Sequence, residues 1–209
     1  MNKTLLLAGA AVLFATSAHA LEVTPYVGAR ISYDFVRANT ANDDMKIKLN
    51  DNTWGGHIAL GAKYNAFRVE TEYNQDRGIR KFPKEGGMLG DRDKVNIKTQ
   101  SLLVNAYYDF NLCSRFTPYV SVGAGIAKLN VRDHGESEVN AKSNPSNFAW
   151  QVGAGVSYAA TDSVDVDLGY RYVDTGAAYI LKEVDGGASW KNKINTSRHE
   201  LYAGIRYNF

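Results

Sequence analysis

Cysteine is almost missing from this chain: Cys113 is the only one in 209 residues, so no intramolecular disulfide can form. No Lys, His or second Cys adjoins Cys113, although Arg115 is close. The thiol therefore reads as a tolerated residue in a short turn. Long apolar runs are missing too. The one apolar stretch, Leu5 to Ala15, follows basic Lys3 and ends in small residues at Ala18 and Ala20. It is too short for a membrane helix, which needs about 20 apolar residues, and it carries the Ala-x-Ala pattern of a cleaved secretory signal. Residues 1–20 are expected to be removed, leaving a mature domain of residues 21–209.

An excess of one charge sign is also lacking. The chain holds 24 Lys and Arg against 22 Asp and Glu, and loss of Lys3 leaves 23 against 22. Nothing in that balance points to a nucleic-acid partner. The mature length fits one domain.

What the chain has instead is alternation. In residues 24–35 Pro25, Val27, Ala29, Ile31, Tyr33 and Phe35 face one way, and Thr24, Tyr26, Gly28, Arg30, Ser32 and Asp34 the other. This period of two means strands. It recurs in 53–64, 67–74, 101–110, 118–126, 148–158, 164–172 and 201–209, which makes eight. The connections near Asn65, over 111–117 and over 160–162 are short, whereas those around 36–52, 75–94, 132–147 and 174–196 are long and polar. The pattern predicts an all-β, eight-stranded antiparallel up-and-down transmembrane barrel, with four long outer loops, short periplasmic turns and both termini in the periplasm.

Alternation alone would equally suit a lipocalin-like secreted barrel with an apolar core. The polar face argues against that. It carries Arg30, Lys63, Arg68, Arg171, Arg198 and Arg206 with Asp34, Glu70, Glu72, Asp109, Asp165, Asp167 and Glu200, six charges against seven. Near balance suits an interior of ion pairs, because a buried unpaired charge is costly. Glycines on the same face, among them Gly61, Gly125, Gly155 and Gly204, leave room for the long arginines. The VGAGIA and VGAGVS strings lack the third glycine and following helix of a dinucleotide-binding loop. On the apolar face, Trp54 to Tyr64 and Phe148 to Tyr158 each span ten residues. At roughly 40° tilt that rise is about 25 Å, the height of the band between aromatic girdles, so the apolar face is expected to meet lipid.

The strand phrases carry a family resemblance over essentially the whole mature chain. LYAGIRYNF, ending at Phe209, looks like the terminal strand by which outer-membrane barrels are recognised for insertion. TPYV at 24–27 and 117–120, FAWQVGAGVSYAATDSVDVDLGYRYVD and RHELYAGIRYNF are similar to the opacity (Opa-like) porin family and its OmpA- and OmpX-like relatives. The resemblance implies residence in a Gram-negative outer membrane, contact with lipopolysaccharide and delivery to the barrel-assembly machinery through the strand ending at Phe209. It also implies loops able to bind a host-surface receptor.

Chemistry is sparsely signalled. Ser197, His199 and Glu200 resemble the groups of a lipid A deacylase, yet Glu200 directly follows His199 and so points to the opposite face. His134 lies among Asp133, Glu136 and Glu138 without a metal-binding spacing. The stretch from Gln75 to Lys94 sets Arg77, Arg80, Lys81, Lys84, Arg92 and Lys94 against Asp76, Glu85, Asp91 and Asp93, a mixture able to meet lipopolysaccharide phosphates. No catalytic residue, cofactor or metal ligand is assigned. The expected protein is a non-enzymatic envelope barrel displaying surface loops for adhesion, ahead of a lipid A-modifying hydrolase or a small-solute porin of little conductance.

Overall fold

The alternating segments become strands that close on themselves. A computed structural model describes residues 23–40, 48–76, 79–81, 95–133, 147–184 and 188–209. The expected signal segment 1–20 lies outside these, as do residues 41–47, 82–94, 134–146 and 185–187. Nine strands run in order: β1 (Thr24–Thr40), β2 (Lys48–Tyr64), β3 (Phe67–Asp76), β4 (Ile79–Lys81), β5 (Val95–Asp109), β6 (Phe116–Asp133), β7 (Asn147–Ala159), β8 (Val164–Val184) and β9 (Ala188–Asn208). Each pairs antiparallel with its neighbour, and β9 returns to β1 with Tyr26 opposite Asn208 and Thr40 opposite Ile194. Both β3 and the three-residue β4 pair with β5, so they occupy one position and the barrel has eight walls. Along the length of β3 the sheet closes without an edge, the condition for a sheet to cross lipid, and above it β4 pairs with β5 among the described residues.

Tight turns set the register at the periplasmic end. Asn65 adopts a left-handed backbone (φ 54°) between β2 and β3, a conformation asparagine tolerates. Cys113 does so as well (φ 53°) in the exposed turn before β6, where the Ser114 hydroxyl accepts from the Phe116 amide at 3.1 Å. After β7, Thr161 Oγ1 accepts from the amides of Ser163 (3.3 Å) and Val164 (3.0 Å). The seam is tied at both strands: the Phe209 amide donates to the Pro25 carbonyl at 3.0 Å, and that of Asn208 to Ser163 at 2.8 Å.

The strands run further outward than their apolar alternation. β1 and β2 stay paired to Asn39 opposite Lys48. Much of the stretch 174–196, expected to be a loop, is paired strand: β8 and β9 shift register between Asp174 and Ala177, then continue from Ala177 opposite Asn195 to Val184 opposite Ala188. Gly176 takes φ 72° at this bulge, and its amide donates to Asp174 Oδ1 at 2.7 Å. Beyond the lipid nothing selects apolar residues on one face, so the ladder continues there without a compositional trace.

Sidedness follows the parity rule. Ile31, Ile58 and Leu60 are 62%, 63% and 57% exposed on the outer face, while Arg171 and Glu72 are 1% and 0% exposed inside. That inversion of an ordinary globular protein is what a lipid-facing barrel requires. Small residues permit the dense interior. At Gly61 a Cβ would stand 2.6 Å from both the Tyr26 hydroxyl and the Val69 carbonyl oxygen, so any side chain there would displace one of them.

Candidate functional site

Two regions could carry function, the filled lumen and the outer rim. In the lumen, side chains from facing walls meet. Near the periplasmic end, Arg68 Nη2 of β3 reaches Asp109 at 2.8 Å, with Lys63 at 3.5 Å from the same carboxylate, and its guanidinium lies 4.5 Å from the centre of the Tyr107 ring and 4.9 Å from that of Tyr119. Arg206 of β9 pairs with Asp165 at 2.7 Å and donates to Ser157 at 3.0 Å. Tyr119 and Tyr202 bridge β6 and β9 at 3.0 Å.

At mid-height Arg30 of β1 donates to Glu70 (2.7 Å) and Glu72 (2.5 Å) of β3, reaching past β2. Glu70 also accepts from the Tyr107 hydroxyl at 2.6 Å and from Tyr26 at 3.0 Å. Arg171 of β8 spans the lumen to Glu72 at 2.9 Å and pairs with Glu200 of β9. Higher still, Arg198 of β9 crosses to Asp76 of β3 at 2.7 Å and also engages Glu200. These cross-wall pairs form one connected polar packing along the described lumen.

Two interior groups had no role in the sequence reading. Asp76, assigned there to a loop, ends β3 and is buried as the partner of Arg198. Its parity continues Arg68, Glu70, Glu72 and Asn74, so extending the alternation by one more pair would have found it. His57 is buried at the centre of a polar cluster: its Nε2 is 2.9 Å from Ser32 Oγ, and its Nδ1 is 3.0 Å from both Arg171 Nη2 and Asn74 Nδ2. The same Nδ1 lies 3.3 Å from Glu72 Oε1, so this nitrogen faces a carboxylate acceptor as well as the Arg171 and Asn74 donors. Asp76 also corrects the expected near balance of six charges against seven. The fully buried set is Arg30, Arg68, Arg171, Arg198 and Arg206 against Asp34, Glu70, Glu72, Asp76, Asp109, Asp167 and Glu200, which is five against seven.

On the outside, the aromatic residues gather into the two expected bands, and within each band rings touch. In the outer band Tyr33 contacts Phe35 and Trp54 with centroids 5.1 Å apart, and Trp150 contacts Tyr172 at 5.5 Å. In the periplasmic band Phe67 and Tyr108 lie 5.2 Å apart and Tyr207 and Phe209 5.1 Å apart. His199 belongs to the outer band: its Nδ1 is 2.6 Å from the Tyr170 hydroxyl, and its ring packs 5.3 Å from Tyr172. Glu200 lies inside, paired with Arg171 and Arg198, so no carboxylate of this strand orients His199 beside Ser197. His134, Glu136 and Glu138 lie outside the described residues, as do Arg77, Lys84, Glu85, Asp91, Arg92 and Lys94. The side chains of Arg80, Lys81 and Asp133 lie outside them too.

Comparison with known proteins places these features. The model of a family described as outer membrane protein beta-barrel domain matches residues 5–209. Outer membrane protein PagN of Salmonella typhimurium is 30% identical over 175 residues, covering 75% of this chain and 73% of that protein. A Rickettsia conorii protein named "Putative adhesin RC1281" is 26% identical over 180 residues, covering 79% and 72%. Among solved structures, Neisserial surface protein A superposes with a TM-score of 0.63 at 24% identity, over 88% of this chain and 97% of that one. That last likeness shows the shared fold.

Proposed function

The chain belongs to the outer membrane protein beta-barrel domain family, and from that premise we propose that it is a non-enzymatic adhesion barrel of the bacterial outer membrane. Its outer loops and rim bind a surface on a host or neighbouring cell. The observation that carries this reading is the set of pairs crossing the lumen, Arg30 to Glu70, Arg171 to Glu72 and Arg198 to Asp76. A lumen filled by its own side chains is poorly suited to solute passage, which leaves the outer end as the place for recognition. The Rickettsia relative's name supports the same role, and the separation of His199 from Glu200 weighs against a hydrolase.

Expression of the full chain in a non-adherent laboratory strain should raise attachment to cultured epithelial cells about tenfold or more. Replacement of residues 41–47, 82–94, 134–146 and 177–195 by short turns should return attachment to background while heat-modifiable barrel folding persists. Unchanged attachment in the loop-shortened barrel would reject the adhesion reading. Separately, mass spectra of lipid A from cells with and without the protein are expected to match. A deacylated species that disappears with Ser197→Ala would reject the non-enzymatic part.

A further inference from the structure

The upper lumen holds one carboxylate that no arginine touches. Asp34 is fully buried (0% exposed), and neither of its side-chain oxygens has a hydrogen-bond partner. Every other member of the buried acidic set meets a guanidinium: Glu70, Glu72, Asp76, Asp109, Asp167 and Glu200 each lie within ion-pair distance of an arginine. Asp76 uses one oxygen on Arg198, and its other, Oδ1, is also buried without a partner.

These unpartnered oxygens converge on one place. Gly55 of β2 stands opposite Ser32 of β1 and Asp76 of β3. At the point where a Gly55 Cβ would lie, Ser32 Oγ is 2.5 Å away and Asp34 Oδ2 and Asp76 Oδ1 are each 3.1 Å away. Three oxygens therefore surround a notch that exists because residue 55 has no side chain. Ser32 Oγ lies 2.9 Å from His57 Nε2, and a hydroxyl oxygen has a further lone pair for the notch. Arg198 reaches Asp76 Oδ2 through Nη1 and Glu200 through Nε, and its Nη2 is buried without a hydrogen-bond partner.

The charge count points the same way. The buried set carries seven carboxylates against five arginines, and with Lys63 3.5 Å from Asp109, Asp34 is the member of that set with no cationic partner. A water molecule in the notch would satisfy hydrogen bonds and leave the Asp34 charge uncompensated in a low-dielectric lumen. A cation there would meet the Asp34 carboxylate and the free oxygen of Asp76 together. All the facing donors are hard oxygens, the choice of calcium over softer metals.

We propose that the Gly55 notch, walled by Asp34, Asp76 and the Ser32 hydroxyl, is a calcium-class divalent-cation site at the outer end of the barrel lumen. Tyr33 and Trp54, neighbours in sequence to Ser32 and Gly55, belong to the outer aromatic band, which sets the notch at the outer end of the lumen. Among the described residues no three His, Cys, Asp or Glu side chains cluster as a metal centre. Two carboxylates and a hydroxyl, completed by water, therefore define a modest site, with an affinity on the order of 10⁻⁴ to 10⁻³ M.

The test is urea unfolding of the refolded full barrel in phosphocholine vesicles, which contain no anionic lipid, with 10 mM calcium against EDTA at matched ionic strength. Calcium should raise the folded-to-unfolded ratio of the native sequence about 10- to 100-fold. Asp34→Asn should be more stable than the native sequence in EDTA, because the unpaired charge is gone, and should not respond to calcium. Gly55→Ala keeps every charge, fills the notch and should lose most of the response. An identical native curve in calcium and EDTA would overturn the site, as would a full calcium response retained in Asp34→Asn. An insensitive native barrel that is stabilised by Asp34→Asn would assign the notch to a shared proton or water instead. Magnesium, which holds its own water shell more firmly, should give a smaller shift than calcium.

Discussion

An Arg171→Leu barrel should lose about 3–5 kcal/mol of folding free energy and be found largely unfolded or degraded in cells. Arg171 is 1% exposed and stands between Glu72 at 2.9 Å and Glu200. Its Nη2 also holds the His57 ring at 3.0 Å, and its guanidinium lies 5.3 Å from the centre of the Tyr202 ring. Leucine fills part of the volume and supplies none of those bonds, so two carboxylates each lose one of their two guanidinium partners. Arg30 still reaches Glu72 and Arg198 still reaches Glu200, which keeps the loss from growing further. The double variant Arg171→Leu with Glu200→Gln removes one of the stranded charges and should regain about half of the lost stability. Urea titration in vesicles reads both. If the two substitutions cost simply the sum of their separate effects, the residues are not coupled and the lumen is not the network described.

Ile58→Arg should cost about 2–4 kcal/mol in the same measurement, for the opposite reason. Ile58 is 63% exposed on the lipid face, between Trp54 of the outer band and Tyr64 at the periplasmic end of β2. Arginine there must hold its charge near the middle of the hydrocarbon or bend it to an interface. Gln75→Arg also faces outward, nearer the outer band, and should cost no more than about 1 kcal/mol. Equal costs at the two positions, or a negligible cost at Ile58, would show that the apolar face does not meet lipid.

Those two residues show how much was legible beforehand. Parity alone assigns Ile58 outward and Arg171 inward, because lipid and lumen impose opposite solvents on alternate residues. The eight strands and both aromatic bands follow from the same alternation. Partner choice does not. Glu72 and Arg171 lie 99 positions apart in sequence, and only closure of the sheet brings them together across the lumen. Asp76 went unrecognised because the apolar half of its alternation stops at Tyr73, just where β3 rises out of the hydrocarbon. The Gly55 notch could not be read either: its meaning depends on which atoms face the missing side chain from β1 and β3.

The outward run of β8 and β9 bears on how a partner would be met. From Ala177 to Val184 the backbone continues for eight paired residues past the bulge. At about 3.3 Å each this gives a span of roughly 26 Å. A paired ribbon of that length works as a mast. It reaches beyond the lipid with its own chain entropy already lost on folding, so capture of a ligand along its paired residues requires little further ordering of them.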